Sequence, residues 1–287
     1  MGRRIAAGDS ATPRRRIAVL GAGNMGTALL RGMLKAKVAA REDLAATTRD
    51  PRKAADLAKD LGIDAHVDNR KAAKWADVVV LGVKPQILPR LLDEVKGSVR
   101  PGALVVSIAA GVPTTAIEAA LPKAAVVRTM PNLAVMVDAG ATALCLGRSA
   151  GPGHAALARE MFESVGLVVE VDEYLMDAVT GLSGTGPMYV FQIIEGLSDA
   201  GVKVGLSRDV ANQLVVQTVL GAAKMAQQST EHPARLKDRV TSPGGTAITA
   251  LHTMERGGLR AILIDAVEAA TKRSEELGRK AGGGRSP

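Results

Sequence analysis

Residues 17–26, IAVLGAGNMG, decide how this chain folds. The first four are all apolar, the mark of a short parallel strand buried on both faces. Gly21, Gly23 and Gly26 then follow the G-x-G-x-x-G spacing, and residues 27–37 read as a helix. Each glycine answers a physical need: a tight turn, close approach of backbone to a pyrophosphate, and tight packing of helix on strand. The helix start adds free N–H groups and the positive end of a dipole. By itself the spacing is a weak signal. Preceded by a strand and followed by a helix, it reads as a dinucleotide-binding turn.

Further along, residues 44–48 read as a second strand. A cofactor lacking a 2′-phosphate is usually held there by an acidic residue about 20 positions past the glycines. This chain instead carries Thr47, Thr48 and Arg49, with Arg52 and Lys53 beyond, and Asp50 is the one contrary charge. Hydroxyls and guanidinium groups suit a 2′-phosphate, so NADPH is expected, with NADH the weaker alternative. A helix is expected over residues 51–61. Buried strands follow at 77–83 and 104–108, then at 141–146 and 167–171, with Val126 and Val127 leading into Arg128 and the segment TMPN. Pro85 ends one of these strands, placing Lys84 in a loop at its carboxyl end. Ala109, Ala110 and Gly111 form a small-residue turn that lets backbone approach a flat ring. Strands alternating with helices imply a doubly wound, mostly parallel sheet of the Rossmann type.

From Asp172 the pattern changes to helical stretches at 174–182, 187–200, 207–228, 246–256 and 259–277, with no convincing strand. Helices apolar on several faces commonly bury against another subunit. The expected plan is therefore a basic tail at 1–15, a dinucleotide-binding domain at 16–171, an all-α dimerisation and substrate domain at 172–279, and a second tail at 280–287.

Composition narrows the function. Aromatic residues make up only 2% of the 287, so the core must come from Ala, Val, Leu, Ile and Met. Seven of the eight net positive charges lie in residues 1–16 and 272–287, leaving a nearly neutral body. That distribution suits solvated tails better than a nucleic-acid surface. No apolar run is long enough to span a membrane. Cys145, the single cysteine, allows no intrachain disulfide and points to the reducing cytoplasm.

Two glycine clusters interrupt the helical half, GLSGTGP at 181–187 and SPGGT at 242–246. Ser242-Pro243 reads as a helix N-cap with proline at the first helical position. The hydroxyls of Ser242 and Thr246, with free N–H groups, then suit a small carboxylate. His66, His154, His232 and His252 form no triad or metal-ligand spacing, so no metal site is expected. A protonated C=N bond accepts hydride without a strong acid, unlike a ketone, so positioning is what such a site must supply. A β-hydroxyacid dehydrogenase is the nearest alternative, but Val190 stands where that family places its lysine. A cofactor-binding sensor with weak catalysis is another.

Taken together, GAGNMG (21–26), GVKPQ (82–86), AAGV (109–112), MPN (130–132), DAVTGLSGTGP (177–187), EHPARLKD (231–238) and VTSPGGT (240–246) resemble pyrroline-5-carboxylate reductase over residues 16–278. The resemblance implies NAD(P)H-dependent reduction of 1-pyrroline-5-carboxylate to L-proline, the last step of proline biosynthesis, by intertwined homodimers often built into larger rings. It implies that Gly21, Ala22, Gly23, Asn24, Met25 and Gly26 bind pyrophosphate, and that Thr48, Arg49 and Asn69 line the adenosine ribose. Val83, Lys84 and Pro85, with Ala109, Ala110 and Gly111, would run along the nicotinamide. Ser242 and Thr246 would be the catalytic pair, with Gly244, Gly245, Thr246 and Ala247 around the substrate and Glu231 nearby. Two positions depart from the family pattern. Ala247 replaces a second threonine, leaving Thr246 or a water to meet the imine nitrogen, and Leu133 and Ala134 follow Asn132 where the family often has Thr-Pro.

Overall fold

The structure, a computed structural model, describes residues 15–281. The tails expected at 1–15 and 280–287 lie outside it, apart from Arg15 and the end of the last helix. Eight strands form one sheet: β1 (Ile17–Leu20), β2 (Leu44–Thr47), β3 (Asp64–His66), β4 (Val78–Leu81), β5 (Leu104–Ser107), β6 (Ala125–Met130), β7 (Gly140–Leu146) and β8 (Gly166–Glu170). Their order is β3-β2-β1-β4-β5-β6-β7-β8, parallel throughout except where β7 runs against β6. Helices α1 (Asn24–Lys35), α2 (Pro51–Leu61), α3 (Asn69–Trp75), α4 (Leu88–Val95), α5 (Thr114–Ala120) and α6 (Pro152–Glu163) connect or flank the strands.

Alternation along each strand builds two cores. Ile17 and Val19 face one side, where Leu29, Leu30 and Met33 of α1 pack with Met161 and Phe162 of α6. Ala18 and Leu20 face the other, against Ala72 and Ala73 of α3 and Leu88, Leu91 and Leu92 of α4. Each large side chain so buried contributes about 1.5–3 kcal/mol. Two layers of helix on one sheet are the expected doubly wound plan. Helix α1 starts three residues earlier than its sequence suggests, because Gly23 is the N-cap and Asn24, Met25 and Gly26 form the first turn. Strand β3 escaped the sequence reading because it is a three-residue edge strand, DAH, with no apolar run.

A buried cation ties later elements to the sheet. Arg128 on β6, whose side chain is 5% exposed, pairs with Glu173 at 3.4 Å and Asp177 at 3.8 Å. Glu173 in turn accepts hydrogen bonds from the Thr114 backbone N–H (2.7 Å) and hydroxyl (2.6 Å), and Asp177 accepts one from the Ser274 hydroxyl (2.6 Å). Burial also pushes the nearby Cys145 thiol up to about 12, so it is an inert core residue. Described residues up to Val179, with those from Ser274 onward, make one compact unit, and Thr180–Arg273 make the other.

Where one helix was expected over 174–182, the chain forms a 3₁₀ turn (Glu173–Leu175), the short α7 (Met176–Val179) and a π turn (Thr180–Gly184). The widened turn is closed by the Thr185 N–H bonding to the Thr180 carbonyl at 2.9 Å. Gly181 is required there, since a Cβ would lie 2.2 Å from the Thr271 hydroxyl. The second unit continues with α8 (Gly186–Lys203), α9 (Arg208–Gln228), α10 (Pro233–Arg239), α11 (Thr246–Arg256) and the first part of α12 (Leu259–Ala281). Helix α10, PARLKDR, carries one large apolar residue, the partly buried Leu236, and so shows no apolar periodicity; His232 caps it by accepting the Ala234 N–H. Large apolar side chains on this unit face outward, among them Phe191, Leu214, Met225, Ile262 and Ile264, each more than 50% exposed. Such a surface calls for a partner subunit.

Candidate active site

Four central strands end flush. Leu20 is in register with Thr47 on one side and Leu81 on the other, and Leu81 with Ser107. Every residue read from the sequence as cofactor-binding follows one of these carboxyl ends except Asn69, which follows the edge strand β3 and opens α3. The strand order reverses between β1 and β4, and a crevice at that point is where open α/β sheets take their ligands.

The turn after β1 is held from beneath. Backbone N–H groups of Gly21 and Ala22 both donate to the Thr47 carbonyl, at 3.1 and 2.7 Å, and Gly21 also donates to the Thr47 hydroxyl at 3.1 Å. Gly21 has φ +81°, and a Cβ there would lie 2.4 Å from Cγ1 of Val83, the second residue after β4. At Gly26 a Cβ would come within 2.9 Å of the Val19 side chain, whereas Gly23 faces open space. Gly21 thus makes the tight turn and Gly26 the close helix–strand contact, while Gly23 leaves the space beside the turn open. No side chain caps α1, so the first-turn N–H groups at Asn24, Met25 and Gly26 are free of intrahelical acceptors. That cradle fits a pyrophosphate.

On the adenosine side, Thr47 is 1% exposed and its hydroxyl donates to Asn69 Oδ1 at 2.6 Å, so it turns inward and offers no phosphate contact. Thr48 donates to the Asp50 carbonyl at 2.8 Å, and Asp50 caps α2 by accepting the Arg52 N–H. The contrary charge is therefore engaged at a helix start. Arg49, Arg52 and Lys53 are exposed and make no ion pair among the described residues. On the opposite side, exposed Lys84 and partly buried Pro85 open the turn that starts α4. Ala109 is buried and contributes backbone only; Gly111, at φ +73°, packs against Gly278, where a Cβ would be 2.6 Å from the Gly111 carbonyl oxygen.

In the second unit the SPGGT segment differs from its reading as an N-cap. Ser242 to Gly245 form a turn closed by the Gly245 N–H on the Ser242 carbonyl at 3.1 Å. Proline at the second position and Gly244 at φ +69° at the third make it a type II turn. The N-cap of α11 is Gly245, without a side-chain cap. A proline so close to the Gly-Gly pair favours the turn, which delays the helix to Thr246. Ser242 still lies over the helix start, since a Cβ on Gly245 would be 2.2 Å from its Oγ. An open depression of about 380 Å³ is lined by Gly244, Gly245, Thr246, Thr249, Ala250 and Thr253. Thr249 and Thr253 donate their hydroxyl protons to carbonyls one turn back, while Thr246 is exposed and its hydroxyl makes no hydrogen bond among the described residues. Glu231 pairs with Arg239 at 2.8 Å, which fixes it against the last turn of α10, before Ser242. Three of the four histidines, His66, His154 and His232, accept local backbone N–H groups and serve as turn and cap residues.

A family model described as pyrroline-5-carboxylate reductase dimerisation matches residues 173–277, and one described as NADP oxidoreductase, coenzyme F420-dependent, matches residues 16–111. The pyrroline-5-carboxylate reductase of Methanosarcina acetivorans is 44% identical over 92% of this chain and 98% of its own. Among solved structures, the pyrroline-5-carboxylate reductase of Coxiella burnetii is 38% identical with a TM-score of 0.86, covering 92% of this chain and 98% of that one. The Plasmodium falciparum pyrroline carboxylate reductase, solved with NADP bound, is 31% identical with a TM-score of 0.82 over the same shares. Two glycine-built cradles, and a sequence that runs alongside these relatives for nearly its whole length, place the chain in the pyrroline-5-carboxylate reductase family.

Proposed function

We propose that this chain reduces 1-pyrroline-5-carboxylate to L-proline with NADPH, as a homodimer built through its helical unit. The observation that carries the substrate assignment is the capless start of α11, where backbone N–H groups and the Thr246 hydroxyl face a depression without any strong acid or base. Such a terminus holds a carboxylate by charge and by hydrogen bonds. Thr246 and Ser242 are the side chains that orient the ring, with Ala247 leaving the imine nitrogen to Thr246 or a water. NADPH, when bound, supplies a hydride to the imine carbon; the nitrogen, already protonated, takes up the electron pair of the C=N bond as the amine forms. Residues 16–171 serve the cofactor and 172–279 the substrate and self-association, which larger rings extend. The nearly neutral body supports no nucleic-acid role. No helix among the described residues is long and apolar enough to cross a membrane, and the lone buried cysteine suits the cytoplasm.

Purified protein given NADPH and pyrroline-5-carboxylate should consume the cofactor and accumulate proline; no turnover with either nicotinamide would overturn the reading. Thr246→Ala should raise KM for the imine about tenfold to a hundredfold, the scale of one hydrogen bond to a charged group. An unchanged KM would remove Thr246 from the site. For the cofactor, Arg49→Asp should shift the preference toward NADH by at least about tenfold, because a carboxylate repels the 2′-phosphate and accepts from a ribose hydroxyl. A ratio of kcat/KM values equal to the wild type would contradict the assignment of Arg49.

A further inference from the structure

Glu94, on α4 and far from the glycine motif in sequence, is linked to it by an unbroken chain of hydrogen bonds. The Gly21 N–H donates to Thr47 Oγ1 (3.1 Å), Thr47 Oγ1 donates to Asn69 Oδ1 (2.6 Å), and Asn69 Nδ2 donates to both carboxylate oxygens of Glu94 (3.2 Å each). The Glu94 main chain is itself fixed, its carbonyl accepting from the Arg70 side chain at 3.0 Å. A carboxylate can only accept, whereas a carboxamide presents a donor on one side and an acceptor on the other. Facing Glu94, Asn69 must therefore turn its NH₂ toward the carboxylate and its oxygen toward Thr47. Thr47 has one hydroxyl proton, which that oxygen takes, so its lone pairs are left for the Gly21 N–H.

From this geometry we infer that Glu94 is a positioning residue for the cofactor: its charge sets the direction of every bond in the chain and locks the first glycine of the dinucleotide turn. With the opposite orientation of Asn69, the amide would donate to Thr47 Oγ1 and compete with the Gly21 N–H for that oxygen, while the hydroxyl proton would lose its acceptor, loosening the floor of the pyrophosphate cradle. Glutamine at position 94 keeps the shape and a hydrogen bond but can face Asn69 either way round. A role in packing alone would leave E94Q indistinguishable from the wild type. The inference rests on the assignment of residues 21–26 to NADPH.

The test is a double-mutant cycle on NADPH affinity, read from the fluorescence of bound cofactor, with E94Q, T47V and the combined variant. E94Q should weaken binding about fivefold, the scale of one hydrogen bond, raising KM for NADPH while kcat at saturation stays within about twofold. In the T47V background the same change should cost almost nothing, since the chain is already cut; N69L provides a second cut should T47V fail to fold. E94Q that binds like the wild type, or that loses as much with Thr47 removed as with it present, would overturn the inference while leaving the cofactor assignment intact. Wild-type protein that fails to bind NADPH would overturn both.

Discussion

Gly21→Ala is expected to lower kcat/KM for NADPH by at least about a hundredfold, the effect of displacing a bound group by roughly 1 Å, while the protein still folds. Two constraints meet at this position. Its φ of +81° lies in the region that a side chain destabilises, and the new methyl would sit 2.4 Å from Cγ1 of Val83. Val83 belongs to the turn after β4, so the clash cannot be relieved without moving one wall of the crevice between β1 and β4. The Gly21 and Ala22 N–H groups are pinned to Thr47 from below, which forces the turn outward into the space of the pyrophosphate. Steady-state kinetics with NADPH varied, beside a thermal melt, measure the effect. A kcat/KM within about threefold of the wild type would show that the turn does not carry the cofactor.

Arg128→Met should cost about 3 kcal/mol of stability, the lower end of the range for removing one partner from a buried ion pair. The arginine is nearly enclosed, and Glu173 and Asp177 are each less than a third exposed. Without it, two partly buried carboxylates lose the cation they share, and their remaining bonds to Thr114 and Ser274 do not replace the charge. The melting temperature should fall by about 6–10 °C for a chain of this size. Adding Glu173→Gln to that variant should recover part of the loss, because one of the stranded charges is then gone. A melting temperature within about 2 °C of the wild type would mean that Arg128 is solvated rather than structural.

Much of the nucleotide-binding half was legible because its signals are local. Four-residue β-branched and apolar runs at 17–20 and 78–81, each stopped by a glycine, read as strands buried on both faces, and glycine spacing reports backbone needs that no other residue meets. The reading failed where the determinant is not local. Strand β3 takes its identity from pairing with β2 rather than from its own three residues. Helix α10 has no apolar face to betray it. The Ser-Pro-Gly-Gly run suits a helix cap by its residue types, yet proline followed by glycine satisfies a type II turn equally well, and the closing bond from Gly245 to Ser242 decides for the turn.

The amino-acid order alone determined the sheet-and-helix plan, the position of the dinucleotide turn and the presence of a second glycine-built helix start, since each follows from short-range periodicity and backbone conformation. Only the tertiary structure revealed that Thr47 faces inward, that Asp50 is spent as a cap, and that Glu94 and Arg128 govern groups tens of residues away. A side chain's hydrogen-bond partners depend on which strands lie side by side, and nothing in the linear order of residues states that neighbour relation.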